Sequence, residues 1–116
     1  RDFRFTLADV VADNASSARF TVGSVGRRPL DLDLAMEASL LEDDGVVVDS
    51  DTGAAVQGHP AEALALAAND LARRGLRIEA GWLVLTGGMT DAVFTLPGSS
   101  VTAHFTNLGS VVVAGG

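Results

Sequence analysis

The architecture of this chain follows from one stretch, LAMEASLLEDDGVVV at residues 34–48. Its first half predicts a β-strand, because apolar side chains recur at every second position. The apolar face of this strand comprises Leu34, Met36, Ala38 and Leu40. Asp44-Gly45 then predicts a tight turn, since Asp-Gly tolerates positive φ, and Val46–Val48 predicts the returning strand. The stretch is therefore interpreted as a β-hairpin.

One long helix is predicted from Pro60 to Arg74. Pro60 suits the first helical turn, and Gly75 suits the position after the last one. The predicted apolar stripe consists of Leu64, Ala67, Ala68 and Leu71. Spacings of three and four residues place these side chains on one face of a helix.

Short strands are predicted in the remaining segments. Apolar runs indicate strands at 19–22, 83–85 and 93–96, and alternation on both sides of the turn 106–108 indicates a closing hairpin. Together they amount to about seven strands and one long helix. The predicted fold class is α+β, mostly β, with a rolled sheet or sandwich in a single domain spanning residues 1–116.

Composition excludes several classes of function. The chain has 116 residues, a net charge of −7, eight basic residues that are all Arg, and no Cys. An acidic domain without a basic stripe is a poor partner for nucleic acid or an anionic membrane, and no apolar run approaches the roughly 20 residues of a membrane span. The absence of Lys excludes Schiff-base chemistry within this chain. The absence of Cys fits a reducing compartment, so we expect a cytoplasmic protein.

Common catalytic and metal motifs do not occur in the sequence. An EF-hand reading of the acidic stretch from Asp49 fails, because the position that needs Glu is Pro60. His59 and His104 have no metal-ligand spacing to a nearby acid, and His104 lies between apolar strand positions, which indicates a surface-facing residue. The nucleophile elbow, the dinucleotide fingerprint and the Walker A pattern are also absent.

The densest group of polar side chains lies between Asp9 and Phe20. Thr6 is a predicted N-cap, and Asp9 three residues later suits the positive end of a short helix that should stop near Asp13. The segment Asn14-Ala15-Ser16-Ser17 then predicts a turn rich in N–H and O–H donors, a plausible site for a carboxylate. The alternative is a self-capping turn whose hydroxyls bind their own backbone, and residue chemistry alone favours that alternative.

Three blocks of the sequence resemble a known family. They are VVADNASSARF at 10–20, TGAAVQGHPA at 52–61, and LTGGMT at 85–90 followed by LGSV at 108–111. In this order they resemble the fumarylacetoacetate hydrolase superfamily, specifically its hydratase and decarboxylase branch in the meta-cleavage degradation of aromatics. The Gly58-His59-Pro60 and Thr-Gly-Gly-Met-Thr forms look like the decarboxylases that act on 2-oxo-3-hexenedioate. The sister hydratases act on 2-hydroxypenta-2,4-dienoate.

The resemblance implies a fold, an activity and a cofactor. The fold would be a mixed rolled sheet of the superfamily type, and the activity a metal-dependent decarboxylation, with hydration as the alternative. The family binds Mg²⁺ or Mn²⁺ through three carboxylates, and the metal stabilises the enolate left when CO₂ departs. The resemblance places these ligands and the catalytic Lys upstream, so this chain would be the C-terminal part of a larger catalytic domain. No metal ligand or catalytic residue is then expected within it.

Six residues of this chain would face the 2-oxo acid substrate. The resemblance assigns that role to Asn14, Ala15, Ser16, Ser17, Thr86 and Gly87. It also implies a homo-oligomer and a complex with the sister hydratase. A catalytically silent binding or assembly domain of the same fold is the alternative of another class. We expect the isolated chain to be inactive and to self-associate through its apolar strands.

Overall fold

The computed structural model describes residues 5–13, 15 and 17–115. In this part of the chain four strands form one antiparallel sheet in the order β2-β1-β3-β4. The strands are β1 (Ala38–Asp43), β2 (Val46–Thr52), β3 (Ser100–Phe105) and β4 (Gly109–Ala114). The helices are α1 (Leu7–Ala12) and α2 (Pro60–Arg73), with short 3₁₀ turns at Pro29–Asp31 and Gly53–Ala55. The α+β class with one long helix is confirmed.

The predicted β1–β2 hairpin is present, with its turn at Asp44-Gly45. Both turn residues have positive φ, 48° for Asp44 and 81° for Gly45, as a tight hairpin turn requires. The first strand is shorter than predicted, because it begins at Ala38. Leu34 and Met36 lie instead in a turn in which the Met36 N–H donates to the Asp33 carbonyl at 3.1 Å. The Asp33 carboxylate offers this N–H a second acceptor, and that bond competes with strand pairing.

The second hairpin, β3–β4, is also confirmed. It turns at residues 106–108, and β3 pairs with β1 at the centre of the sheet. The Ser100 N–H donates to the Asp44 carboxylate at 2.8 Å, and the Asp44 N–H donates to the Ser100 carbonyl at 2.9 Å. The turn of the first hairpin is therefore bonded to the first residue of β3.

The register gives the sheet two distinct faces. Directly opposed residues share a face, so the pairs Ser39–Phe105 and Leu41–Ala103 fix the first face and Leu40–His104 fixes the other. The first face, here called the cavity face, comprises Ser39, Leu41, Asp43, Val101, Ala103, Phe105, Val111 and Val113. The second, here called the outer face, comprises Leu40, Glu42, Thr102, His104, Ser110 and Val112.

Helix α2 begins and ends where the sequence predicts. Pro60 occupies the first turn, and Gly75 has φ +71° just beyond the C-cap. The Leu76 N–H donates to the Leu71 carbonyl at 2.9 Å, which closes the C-terminal turn. His59 is the N-cap, and its Nδ1 accepts from the Ala61 N–H at 3.1 Å. The sequence did not indicate this capping role, because His is not a preferred N-cap residue.

The prediction of about seven strands is wrong for the described residues, in which four strands form. Segments 19–22, 83–85 and 93–96 have no regular secondary structure and belong to no ladder. β-Propensity alone does not make a strand, because a strand also needs a hydrogen-bonded neighbour. Segment 83–85 is also exposed despite its apolar sequence, since Leu83 and Leu85 are 57% and 60% exposed.

The core of the described chain is small. Val56, 5% exposed, is its only buried apolar residue, and Glu37 and Ser39 are buried polar residues. Many large apolar side chains are exposed, among them Phe20, Val22, Trp82, Leu83, Leu85, Phe94 and Leu96. None of the helices in the described part of the chain is long and apolar enough to cross a membrane.

Candidate functional site

The short helix α1 begins with a complete capping box. The Asp9 N–H donates to Thr6 Oγ1 at 3.4 Å, and the Thr6 N–H donates to the Asp9 carboxylate at 2.8 Å. The Thr6 hydroxyl donates to the same carboxylate oxygen. Both donors favour the ionised form, the backbone N–H more than the hydroxyl, so the pKa of Asp9 lies below its ordinary value of 3.8. The predicted N-cap is therefore confirmed.

The donor-rich turn follows directly after α1. Asp13 is the C-cap, and its N–H donates to the Asp9 carbonyl at 3.0 Å. Ala15 has φ +58°, and the Ser17 hydroxyl donates to the Ala15 carbonyl at 3.3 Å. This bond is local, as a self-capping turn predicts. Asn14 and Ser16, the other two residues predicted to face the substrate here, lie outside the described residues.

Gly87 borders a small cavity over the cavity face of the sheet. The cavity has a volume of about 210 Å³ and is lined by Ser39, Leu40, Leu41, Gly87, Met89, Thr90, Ala103 and Phe105. Gly87 has φ +122°, a conformation that side chains of L-residues rarely adopt, and a Cβ on it would lie 3.8 Å from Val56 Cγ1. Gly87 is therefore required by its backbone conformation, whereas a Cβ there would make only ordinary van der Waals contact with Val56.

Ser39 is the most deeply buried polar residue of this cavity wall. It is 6% exposed, and its hydroxyl has no hydrogen-bond partner in the described structure. A buried hydroxyl without a partner is unfavourable, so such groups are frequent where a ligand or water binds. Ser39 could not be selected from the sequence alone, because a lone Ser within an alternating strand has no distinctive pattern.

The loop that carries Thr90 is fixed to β2 through a single carboxylate. The Asp91 N–H donates to Asp49 Oδ2 at 2.9 Å, and Asp49 Oδ1 accepts from the Ser50 N–H at 2.7 Å. Asp49 lies opposite Leu41, on the cavity face. Its carboxylate therefore holds the loop across the sheet next to the small cavity.

A second, apolar cavity lies beside the first on the same face. Its volume is about 420 Å³, and it is lined by Phe20, Thr21, Val22, Gly23, Val25, Leu83, Leu85, Ala103, Phe105, Leu108, Val111 and Val113. Ala103 and Phe105 of β3 belong to both cavities. Segments 20–25 and 83–85 therefore form the walls of an apolar space whose floor is the sheet.

These cavities bring together only part of the predicted site. Gly87 lines the small cavity, whereas Thr86, Ala15 and Ser17 line neither of the two. The site combines a small cavity with polar groups and a larger apolar one, an arrangement typical of pockets for small amphipathic molecules. Within the described residues no group of three or more His, Cys, Asp or Glu side chains could hold a metal ion.

Comparison with known proteins shows a consistent resemblance. No family model matches the chain. It is 47% identical over 95% of its length to the 4-oxalocrotonate decarboxylase of Pseudomonas sp. (strain CF600), and 46% identical over 95% to that of Pseudomonas putida. It is 40% identical over 96% of its length to the 2-keto-4-pentenoate hydratase of Paraburkholderia phymatum. The chain spans 42% of the length of each of these relatives.

Solved structures give the same result. The 4-oxalocrotonate decarboxylase from Pseudomonas putida G7, complexed with magnesium and adipate, superposes with a TM-score of 0.91. It is 43% identical, over 98% of this chain and 43% of that one. The form complexed with calcium and acetate has a TM-score of 0.85 at 45% identity, over 90% of this chain and 40% of the other. The resemblance to the decarboxylase and hydratase branch is thereby confirmed.

Proposed function

We propose that the protein containing this chain is a metal-dependent lyase that decarboxylates 2-oxo-3-hexenedioate to 2-hydroxypenta-2,4-dienoate. The observation that carries the proposal is the 47% identity to a 4-oxalocrotonate decarboxylase over 95% of the chain. Hydration of 2-hydroxypenta-2,4-dienoate is the alternative, supported by 40% identity to a 2-keto-4-pentenoate hydratase. A silent domain of the same fold is the third possibility.

This chain would form one wall of the substrate pocket. Ser39, whose buried hydroxyl has no hydrogen-bond partner in the described structure, lines the small cavity beside Gly87 together with the apolar side chains of Ala103 and Phe105. A chain with a polar end and a hydrocarbon middle is complementary to such a wall. The similar enzyme from Pseudomonas putida G7 binds adipate, a saturated dicarboxylate related to the proposed substrate.

The turn at residues 14–17 and the turn at Thr86-Gly87 remain the proposed substrate contacts. The N–H and O–H groups of the first would donate to a substrate carboxylate, and the second would line the pocket beside the metal. The Ser17 hydroxyl donates its hydrogen bond to the Ala15 carbonyl, so the Ser17 oxygen can only accept a further hydrogen bond. For this reason we assign the carboxylate contact to Asn14 and Ser16 ahead of Ser17.

A divalent metal, Mg²⁺ or Mn²⁺, is the proposed cofactor, since the similar enzyme is complexed with magnesium. The described residues of this chain do not fit a metal centre, because they contain no group of three or more suitable ligands. We therefore place the ligands in another part of the parent enzyme and route no step through residues of this chain. When bound, the metal would stabilise the enolate that decarboxylation leaves.

Further parts of the proposal concern assembly and location. A rolled sheet of the fumarylacetoacetate hydrolase type would accommodate the apolar cavity face, which this sheet leaves open. Exposed apolar strands such as β4 favour a homo-oligomer, and a decarboxylase of this branch would partner its sister hydratase. We propose the cytoplasm as the compartment.

A chimera tests the proposed reaction. The matching stretch of the Pseudomonas putida decarboxylase would be replaced by this chain, and turnover of 2-oxo-3-hexenedioate would be followed with and without Mg²⁺. We expect Mg²⁺-dependent release of CO₂ at a rate comparable to that of the unmodified relative. The matched control carries the corresponding stretch of the Paraburkholderia phymatum hydratase in the same host.

Each result of the chimera experiment has a distinct meaning. Hydration of 2-hydroxypenta-2,4-dienoate without decarboxylation would favour the hydratase alternative. A soluble, folded chimera with neither activity, beside an active host enzyme, would contradict the lyase proposal and support the silent domain.

A further inference from the structure

Three polar side chains form a continuous hydrogen-bonded chain on the outer face of the sheet. The His104 Nδ1 lies 2.8 Å from Ser110 Oγ, and the His104 Nε2 lies 3.1 Å from Glu42 Oε2. Glu42 is on β1, His104 on β3 and Ser110 on β4, so the chain crosses three adjacent strands. It lies on the face opposite to the two cavities and takes no part in the proposed lyase site.

The carboxylate determines the direction of each hydrogen bond in this chain. An ionised Glu42 can only accept, so the His104 Nε2 must carry the hydrogen and donate it. In a neutral imidazole the Nδ1 then has a free lone pair, and the Ser110 hydroxyl donates to it. This is the pattern of an activated serine: a hydroxyl on a base, and the base oriented by a carboxylate.

Sheet register holds the three groups in place. His104 lies directly opposite Ser110 in the β3–β4 pair and opposite Leu40 in the β1–β3 pair. Glu42 is two residues beyond Leu40 on the same face, which is the diagonal distance that a long side chain can reach. Groups on paired strands keep their geometry better than groups on loops, which favours a preorganised nucleophile.

The serine is accessible to a reagent. Ser110 is exposed, and the side chains of His104 and Glu42 are 43% and 28% exposed. In the described sheet β4 is an edge strand, so alternate N–H groups along it point away from β3. One of the N–H groups of Ser110 and Val111 therefore points away from β3.

We propose that Ser110 is an activated serine that accepts acyl or phosphonyl groups from activated esters and fluorophosphonates. With a fluorophosphonate, Ser110 Oγ forms a bond to phosphorus and the P–F bond breaks. Fluoride leaves with the bonding electron pair, and the hydroxyl proton passes to the His104 Nδ1. Glu42 stabilises the imidazolium that results.

Labelling by a fluorophosphonate probe tests the proposal on the 116-residue chain, with the labelled residue identified by peptide mass spectrometry. We expect the label on Ser110 and its complete loss in Ser110→Ala. His104→Asn should slow labelling at least about a hundredfold, the lower range for general-base assistance. Glu42→Gln keeps an acceptor for Nε2–H but removes the charge, so an intermediate slowing is expected.

The controls separate reactivity from structure. Ser50→Ala removes an exposed hydroxyl on the same face, opposite Leu40, and should leave the labelling rate unchanged. Melting temperatures of all variants show whether each is folded. No label on Ser110 in the folded chain would overturn the proposal. If a folded His104→Asn protein is labelled at the same rate as the unmodified chain, the proposal is overturned too. The three side chains would then only stabilise the packing of adjacent strands.

Discussion

Both carboxylate oxygens of Glu37 are bonded to one residue, Asn107. The Asn107 backbone N–H donates to Oε1 at 2.7 Å, and its side-chain amide donates to Oε2 at 2.7 Å. The two residues are 70 positions apart, and Glu37 is 4% exposed. The turn of the β3–β4 hairpin is thereby bonded to the residue that precedes β1, whose carbonyl also accepts from the Gly53 N–H at 2.9 Å.

We expect Glu37→Gln to lower the free energy of unfolding by about 1.5–3 kcal/mol, because the amide nitrogen cannot accept the second Asn107 donor. Urea unfolding measures the change, and Glu62→Gln on the exposed side of α2 is the matched control. Adding Asn107→Asp to Glu37→Gln exchanges donor and acceptor and should recover part of the loss. No recovery in the double variant would contradict the pairwise explanation.

Gly53 is required by a close approach of two backbone segments. A Cβ on Gly53 would lie within van der Waals overlap of the Leu34 carbonyl oxygen, a rigid backbone atom. We therefore expect Gly53→Ala to destabilise the chain by about 1–3 kcal/mol or more. Gly26→Ala is the control, because no atom lies within 4 Å of its added Cβ. Equal melting temperatures for the two variants would show that the 34–53 contact is not maintained in solution.

Sequence patterns predicted the local features of this fold well. Asp44-Gly45, Thr6 and Gly75 each determine φ or a cap within a few residues, and the structure confirms all three. The pairing of β1 with β3 was beyond such patterns, because nothing within a segment identifies partners that lie 58 to 66 residues away, from Asp43↔Val101 to Ser39↔Phe105. For the same reason, segments 19–22 and 83–85 were mistaken for strands.

The candidate site was predictable to a smaller extent. The family resemblance assigned Gly87 to the substrate site, and Gly87 does line the small cavity. Ser39 and Phe105 could not be selected, since their importance comes from sheet register. His104 was correctly predicted to face outward, but its contacts with Glu42 and Ser110 depend on three strands meeting.

Gly87 should be needed for substrate binding in the chimera described above. Gly87→Ala introduces a methyl group beside the cavity at φ +122°, and we expect KM for 2-oxo-3-hexenedioate to rise. Gly81→Ala is a close control, because Gly81 also has positive φ, +89°, but no atom lies within 4 Å of its added Cβ. A rise of the same size in both variants would assign the effect to backbone strain.

Ser16 is expected to bind the substrate carboxylate in the same chimera. Loss of one hydrogen bond to a charged acceptor costs about 1.5–3 kcal/mol, so Ser16→Ala should raise KM by about tenfold or more. The substrate carboxylate is charged throughout the reaction, and kcat should therefore change little. Ser17→Ala, which removes the bond to Ala15, should lower the melting temperature more than it affects KM. If Ser16→Ala leaves both kinetic constants unchanged, the assignment fails.

The capping box of α1 should be sensitive to acid. The pKa of Asp9 is lowered in the folded chain, so its contribution to helix stability is present above the unfolded pKa of about 3.9. That contribution should be lost as the pH falls below 4 through the folded pKa. Protection factors of the α1 amides, measured by NMR between pH 5 and 2.5 and corrected for the intrinsic pH dependence of exchange, should fall in the native chain. In Asp9→Asn the same amides should be less protected already at pH 5, and their protection factors should change little further as the pH falls.

The strand order β2-β1-β3-β4 also has a consequence for the order of folding events. Each hairpin closes over a short turn, and such hairpins form in about 1–10 μs. The β1–β3 pairing must instead close the long connection from Thr52 to Ser100. The conformational entropy of this connection is lost before any contact between β1 and β3 stabilises the closed state. We therefore expect docking of the two hairpins to be the rate-limiting step of folding, with the Asp44–Ser100 and Glu37–Asn107 bonds formed after it.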